Sequence, residues 1–226
     1  MGDVQEWSNA KNILCVRLDS MGDVLMMTPA IRALKETVPE RKITLLTSTS
    51  GGKISPLIPE IDNTLIYDPP WMKSSAPPSD SASDFQIIDR LRGLHFDGAV
   101  LFTTFSQSPL PAALLTYLAD IPLRLAYCRE NPYHLLTDWM PEIDHVGSPT
   151  IRHEVQRQLD LVAFIGSETS DEHLSLRVPE HLREKVHKLL LTNELDTRKP
   201  WIVLHPGQPP HHGAIGLIII EKCLKI

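Results

Sequence analysis

The sequence of 226 residues lacks the features that mark several common protein classes. Its only cysteines are Cys15, Cys128 and Cys223. None has CxxC spacing, so neither a disulfide framework nor a zinc knuckle is predicted. No apolar run reaches the roughly 18 residues that a membrane-spanning helix needs. The 28 acidic residues outnumber the 22 basic ones, for a formal net charge of −6. This balance argues against a nucleic-acid-binding protein, which needs a cationic surface.

Most short catalytic signatures are also missing. There is no GxGxxG dinucleotide motif, GxSxG nucleophile elbow or Asp-x-Asp, and the P-loop-like segment 48–54 ends in Ile54 where Ser or Thr is needed. His153-Glu154 is followed by Arg157 instead of the second histidine of a zinc motif, and His211 and His212 have no ligand partners at suitable spacing. We therefore expect no metal and no cofactor. The polar N-terminal segment does not resemble a signal peptide, which favours a cytosolic protein.

An alternation of strand-like and helix-like segments is present. Short apolar runs typical of buried parallel strands occur at 12–18, 43–47, 64–67, 98–103 and 124–127. The segments between them, at 31–38, 51–61, 85–95 and 111–120, have helical or turn patterns. This order predicts βαβ units and an α/β fold with a doubly wound parallel sheet. Ligands bind such sheets at the carboxyl ends of the strands, where the loops 19–23 and 104–109 would meet.

The second half of the sequence predicts fewer elements. Residues 68–84, rich in Pro and Ser, are expected to form an exposed loop. One helix is predicted from Pro149 to a C-cap at Gly166, and another over 179–193. The apolar run 201–207 suggests the first strand of a second α/β unit. We expect one domain over residues 1–170, with a linker helix and an incomplete second domain over 171–226.

The loop after the first strand has two interpretations. Backbone N–H groups at the start of the next helix attract negative charge, Gly22 permits close approach to the backbone, and Asp23 could accept a proton from a substrate hydroxyl. Alternatively, Asp19, Ser20 or Asp23 simply caps the helix. The spacing alone favours the cap.

The hydroxyl-rich segment 102–109 is similarly ambiguous. Ser106 and Gln107 could bind a polyhydroxylated ligand through neutral hydrogen bonds, or the segment could be an ordinary turn rich in Ser and Thr. Arg17, Arg129 and Arg152 could contact substrate phosphates or form ordinary salt bridges.

The run ILCVRLDSMGDVLMMTPAIRALKETVPERKITLLTS resembles the N-terminal signature of family 9 glycosyltransferases, the ADP-heptose:lipopolysaccharide heptosyltransferase group. In that family, an apolar-Gly-Asp loop leads into a helix that begins V-L-x-x-T-P-A. The segments FTTFSQSPLPAALLTYLADIPLRLAY, HEVQRQLDLVAFIG and WIVLHPG also resemble family segments, so that the resemblance covers roughly residues 12–207.

The resemblance implies a GT-B fold of two Rossmann-like domains and an inverting, metal-independent glycosyl transfer. It makes Asp23 the general base. It places the acceptor, a lipopolysaccharide core or related glycan, beside Ser20, Met21, Gly22, Ser106 and Gln107. The nucleotide-sugar donor, ADP-heptose in this family, would lie beside His205, Pro206 and Gly207. The expected location is cytoplasmic, with at most peripheral contact at the inner face of the cytoplasmic membrane.

The sequence departs from the family after Gly207, where a basic residue and a Trp-Pro-like segment would follow. The remaining donor-binding elements of the family are not found in residues 208–226, as after a truncation or frameshift. We therefore expect the chain as written not to transfer sugar, because one substrate lacks its site. Leu217–Ile220 would then pack onto the first domain or stay exposed.

The alternative to a glycosyltransferase is a non-catalytic domain that binds a glycan or a lipid headgroup. A different kind of α/β nucleotide-binding protein is disfavoured by the missing glycine motifs.

Overall fold

The computed structural model describes residues 4–72, 80–142, 152–193, 196, 202–204 and 218–220. The chain divides into two compact units, Met1–Arg177 and Val178–Ile226. Within the described ranges, no helix is both long enough and apolar enough to cross a bilayer.

The first unit is built on a six-stranded sheet. Its strands are β1 (Asn12–Arg17), β2 (Lys42–Thr47), β3 (Asn63–Ile66), β4 (Gly98–Leu101), β5 (Leu123–Cys128) and β6 (Asp138–Pro141). The spatial order is β3-β2-β1-β4-β5-β6, and every neighbouring pair is parallel. The predicted α/β fold with a doubly wound parallel sheet is confirmed. The strand order reverses between β1 and β4, and that point is where sheets of this kind bind ligands.

Helices cover both faces of this sheet. They are α1 (Val4–Asn9), α2 (Met21–Met26), α3 (Thr28–Thr37), α4 (Thr49–Gly52), α5 (Ala82–Gly93), α6 (Leu110–Leu118) and α7 (Glu154–Ala163), and a 3-10 turn spans Ser55–Leu57. Alternate residues of β1 enter different cores: Ile13 and Cys15 pack with α2, α3 and α7, whereas Leu14 and Val16 pack with α5 and α6. Burial on both faces explains why the β1 sequence is apolar at nearly every position.

The N-terminal segment contributes a helix that the polar sequence did not predict. Trp7 of α1 is fully buried, and its Nε1 donates a hydrogen bond of 2.9 Å to Asp138 Oδ2 at the start of β6. Gly98 makes room for the indole, because a Cβ at this position would lie 2.7 Å from the ring. Strand β6 was not predicted either. It is short and lies at the sheet edge, beginning with Asp138 and ending with Pro141, which have low strand propensity.

Helix α7 begins later than the sequence suggests. Its first residue is Glu154, and the preceding His153 has extended backbone angles; the predicted start at Pro149 lies outside the described residues. The helix end is as expected, since Gly166 has a φ of +79° and its N–H donates to Ala163 O.

The second unit contains α8 (Glu180–Thr192), which matches the predicted helix. It also contains β7 (Ile202–Leu204) and β8 (Ile218–Ile220), which form an antiparallel pair. Strand β7 lies within the predicted strand 201–207, and its partner β8 lies within Leu217–Ile220, for which no strand was predicted. Of the predicted loop 68–84, residues 73–79 lie outside the described residues.

Candidate functional site

The loops that follow β1 and β4 meet at the point where the strand order reverses. Asp19 follows β1, and its Oδ1 accepts a hydrogen bond from Gln107 Nε2 in the loop after β4. The Gln107 Oε1 accepts in turn from the backbone N–H of Thr104 at 3.1 Å. The prediction that the loops 19–23 and 104–109 share one sheet edge is confirmed, because side chains of the two are directly bonded.

Arg17, the last residue of β1, is fully buried beneath this edge. Its Nη2 lies 3.2 Å from Asp23 Oδ1 and its Nη1 lies 3.3 Å from Glu154 Oε1. Its Nε lies 2.8 Å from Asp19 Oδ2, close enough for an ion pair but not aligned as a hydrogen bond. A single guanidinium thus holds three carboxylates. Of its two sequence interpretations, the structure supports the salt bridge and leaves no face of Arg17 open to a substrate phosphate.

Asp23 is the third residue of α2. Its side chain can serve in both of the roles predicted from the sequence, as a helix cap and as a proton acceptor. Its Oδ2 accepts from the Ser20 backbone N–H at 3.1 Å and from the Ser20 hydroxyl at 2.7 Å. These bonds cap the helix start. The side chain nevertheless stays 31% exposed and lines a cavity. Capping and proton acceptance are therefore compatible, since the bonds that cap the helix also fix the orientation of the carboxylate.

Asp19 is the more deeply buried carboxyl group of the pair, with 9% of its side chain exposed. Burial raises the pKa of Asp19 above its ordinary value of 3.8, and the nearby charges of Asp23 and Glu154 add to this. The hydrogen bond from Gln107 and the charge of Arg17 act in the opposite direction and do not cancel it. Asp19 is thus a carboxyl group that holds its proton to higher pH than an exposed aspartate does.

Side chains at the start of α7 form ion pairs and hydrogen bonds at this same edge of the sheet. Arg157 is bonded to Glu142, with 2.5 Å between its Nε and the carboxylate, and lies 3.4 Å from Glu154. Both Arg157 and Gln158 donate to the carbonyl oxygen of Thr103, just after β4. Neither Glu154 nor Arg157 was predicted to belong to the site, because in the sequence they stand out only as part of an incomplete zinc motif. Arg17 and Glu154 are 137 positions apart, so that their contact exists only in the folded chain.

A cavity of about 650 Å³ opens at the carboxyl edge of β1, β2 and β3. Hydroxyl, amide, carboxylate and apolar groups all contribute to its wall. The described lining residues are Leu18, Asp19, Ser20, Asp23, Ser48, Thr49, Ser50, Lys53, Asp68, Pro69, Trp71, Met72 and Gln107.

The structure brings some of the predicted site residues together and not others. Ser20, Asp23 and Gln107 share this cavity. Met21 and Gly22 begin α2 and are exposed, but they are not among its described lining residues. Ser106 lines a neighbouring cavity of about 240 Å³, to which Gln107 also contributes.

The residues predicted to bind the donor or a substrate phosphate do not form an anion site in the described part of the chain. His205, Pro206 and Gly207 lie outside the described residues. Arg129 stacks on the Phe105 ring, 4.3 Å from its centroid, and Arg152 pairs with Asp160. In the described part of the chain, no three His, Cys, Asp or Glu side chains are grouped so as to hold a metal ion.

No protein-family model and no curated protein sequence matches the chain. Solved structures do. A family 9 glycosyl transferase from Veillonella parvula is similar with a TM-score of 0.63 at 15% identity, over 84% of this chain and 51% of that one. The E. coli ADP-heptose lps heptosyltransferase II has a TM-score of 0.60 at 19% identity, over 84% of this chain and 52% of that one. An E. coli heptosyltransferase with ADP-2-deoxy-2-fluoro heptose has a TM-score of 0.53 at 17% identity, over 83% of this chain and 56% of that one.

The chain therefore spans about half the length of these structures. At such low identity the similarity establishes a shared fold. The chain has the α/β fold, with a doubly wound parallel sheet, that is found in these family 9 glycosyltransferase structures.

Proposed function

We propose that the chain is the acceptor-binding part of a family 9, GT-B glycosyltransferase, and that Asp23 is its general base. The observation that carries this proposal is the position of Asp23. Its carboxylate faces a cavity of about 650 Å³ at the carboxyl edge of the sheet, beside Ser20 and Gln107. The fold shared with heptosyltransferase structures supports the same assignment.

The chemistry needs one well-placed carboxylate. The acceptor hydroxyl gives its proton to Asp23 while its oxygen bonds to the anomeric carbon of the donor. The bond from that carbon to the nucleoside diphosphate breaks at the same time, and the diphosphate leaves with the bonding electrons. A single displacement of this kind inverts the anomeric centre and needs no covalent sugar–enzyme intermediate. Ser20 and Arg17 hold the carboxylate of Asp23 in place for the proton transfer.

The finer assignments come from the sequence resemblance. The donor is proposed to be ADP-heptose, with His205, Pro206 and Gly207 beside it, and the acceptor a lipopolysaccharide-core or related glycan. Ser20, Met21, Gly22, Ser106 and Gln107 are proposed to surround the acceptor. Because the 226 residues match about half of each family structure, they are expected not to transfer sugar by themselves. Sugar transfer from ADP-heptose by the purified chain would refute that expectation.

A fusion protein tests the base assignment. In it, residues 1–177 replace the matching half of the E. coli heptosyltransferase II, and ADP release from ADP-heptose is followed with a glycan acceptor present. We expect Asp23→Asn to lower the rate by about a hundredfold or more, the usual contribution of a general base. Asp89→Asn, an exposed carboxylate paired with Arg92 on α5, is the matched control and should keep the rate. An Asp23→Asn fusion as fast as its parent would contradict the assignment.

A non-catalytic glycan-binding domain is the alternative. It predicts that the chain binds a glycan but that the fusion protein shows no acceptor-dependent ADP release with either Asp or Asn at position 23.

A further inference from the structure

We propose that the sugar bound in the cavity beside Asp23 is uncharged, and that the indole of Trp71 is the surface on which its ring lies. This inference rests on the proposed function and specifies the class of acceptor. Its basis is the charge, the hydrogen-bonding groups and the aromatic wall of the cavity.

The charge of the cavity wall opposes an anionic ligand. Among the described lining residues, Asp19, Asp23 and Asp68 carry carboxyl groups and Lys53 is the one cation. Arg17 lies directly behind the wall, but it is fully buried and its charge is engaged by Asp19, Asp23 and Glu154. A phosphate or carboxylate in this cavity would therefore meet more negative than positive charge. An uncharged sugar avoids that repulsion.

The polar groups of the wall suit hydroxyl groups. The carboxylate of Asp68 accepts from the Thr49 backbone N–H at 2.9 Å and from the Thr49 hydroxyl, which holds it in place. Each carboxylate oxygen has a second lone pair that can accept from a sugar hydroxyl. The Gln107 Nε2 donates to Asp19, and the second hydrogen on that nitrogen can donate to a sugar oxygen. Such groups pair with neutral hydroxyls in either direction.

Part of the cavity wall is apolar and contains an aromatic ring that packs against a second ring. Trp71 follows β3 and is 37% exposed, and together with Pro69 and Met72 it lines the cavity. Its ring meets that of Tyr67 edge to face, with the centroids 5.8 Å apart. Tyr67 is itself buried and donates from its hydroxyl to Asp84 at 2.7 Å. The indole therefore offers an apolar face against which the C–H face of a sugar ring can pack.

The size of the cavity agrees with this ligand. Its volume of about 650 Å³ lies within the range of roughly 300–1,000 Å³ that small-molecule sites occupy. A mixed lining, with an apolar wall and a few polar groups, is typical of such sites. The cavity thus has room for a sugar ring with its neighbouring substituents.

The test is a ligand-observed NMR titration of the 226-residue chain with matched pairs of sugars. The probes are the methyl α-glycosides of mannose, glucose and galactose and the 6-phosphate of each. We expect at least one neutral glycoside to bind about tenfold more tightly than its 6-phosphate at low salt. The difference should shrink at about 0.5 M salt, where screening shortens the range of the repulsion to a few ångströms.

Two variants, each with a matched control, test whether Trp71 and Asp68 cause the difference in binding between the neutral and the phosphorylated sugars. Trp71→Ala should weaken binding of the neutral glycoside about tenfold, whereas Phe85→Ala, at an exposed aromatic residue that does not line the cavity, should not change it. Asp68→Asn should tighten binding of the 6-phosphate by about threefold, because it removes one of the repelling charges. Asp89→Asn, outside the cavity, should leave it unchanged.

Each outcome has a distinct meaning. A 6-phosphate that binds as tightly as its neutral partner overturns the inference but leaves the proposed glycan site standing. If Trp71→Ala binds the neutral glycoside as tightly as the parent does, the sugar ring does not lie on the indole, and that part of the inference is overturned. If no probe of either kind binds, the inference and the proposed acceptor site both fail.

Discussion

Arg17 is the residue on which the candidate site depends most. It is buried at the end of β1, and three carboxylates from two separate parts of the chain surround it. Removing one partner of a buried ion pair leaves the others without compensation, which costs far more than loss of a surface pair. The orientation of Asp23, and hence its chemistry, is thereby coupled to the stability of the fold.

We predict that Arg17→Met lowers the free energy of unfolding by about 3 kcal/mol, because Met fills the space of the arginine stem but leaves Asp19, Asp23 and Glu154 unpaired. Urea denaturation followed by circular dichroism measures the change. Lys11→Met breaks an ion pair with Glu40 in which both side chains are mostly exposed, and should leave the midpoint unchanged. Equal effects of the two substitutions would argue against a buried charge cluster.

The raised pKa of Asp19 predicts a pH-dependent stability difference. The folded state binds the Asp19 proton more tightly than the unfolded state does, so that this contribution to stability is present below the ordinary pKa of 3.8 and is lost as the pH rises through the folded-state pKa. Asp19→Asn cannot titrate. We expect the stability of the parent relative to Asp19→Asn to fall as the pH is raised from about 4 to 7.

Asp171 provides the control of opposite sign. Hydrogen bonds from His173 lower the pKa of Asp171, so that its contribution is present above the ordinary pKa and is lost as the pH falls. The stability of the parent relative to Asp171→Asn should therefore rise as the pH is raised from about 2 to 5 and change little above that range. If the Asp19 and Asp171 differences change in the same direction in urea titrations, the assignment for Asp19 is wrong.

Among the elements, the turn between β2 and β3 positions one wall of the cavity through close packing. Helix α4 begins where Ser48 caps it, accepting from the Gly51 N–H at 3.0 Å, and the Ser48 hydroxyl also donates to Asp19 O at 2.6 Å. Gly51 itself has almost no free space. A Cβ there would lie 2.0 Å from Thr47 Oγ1 and 2.9 Å from Val24 Cγ2, and both of these residues are fully buried.

We predict that Gly51→Ala destabilises the chain by about 1–3 kcal/mol, the usual cost of adding a methyl group to a filled core. Gly93→Ala is the matched control. It lies at the end of α5, where a Cβ meets nothing within 4 Å, and should raise the stability by up to about 1 kcal/mol through its better helix propensity. Thermal or urea unfolding of both variants measures the difference. A neutral Gly51→Ala would show that α4 is not packed as described.

The sequence predicted the elements whose burial is regular. The apolar runs of β1, β2, β4 and β5 are buried on both faces, and such burial leaves a pattern in the sequence. Helix α1 and strand β6 have no such pattern in their sequences. In α1 only Trp7 is buried, and β6 has four residues that pair with β5 alone. The hydrogen bond that links them joins Trp7 and Asp138, which are 131 positions apart, so that it is not visible in the sequence.

Across the molecule, the sequence predicted which loops meet but not how their charges pair. Asp23 and Gln107 follow different strands, and the parallel topology alone brings them to one edge. The ion pairs of Arg17 with Glu154, and of Arg157 with Glu142, depend on how α7 packs, and that was not visible in the sequence. In the second unit the sequence predicted strand β7 but not its antiparallel partner β8.

The proposed function requires that the cavity beside Asp23 binds the acceptor. An ¹⁵N NMR titration of the 226-residue chain with methyl α-glycosides measures this binding residue by residue. We expect concentration-dependent shifts that cluster on the amides of Ser20, Asp23, Thr49, Asp68 and Gln107, at the carboxyl edge of the sheet. Shifts confined to other parts of the chain, or no shifts with any of the sugars, would contradict the proposed function.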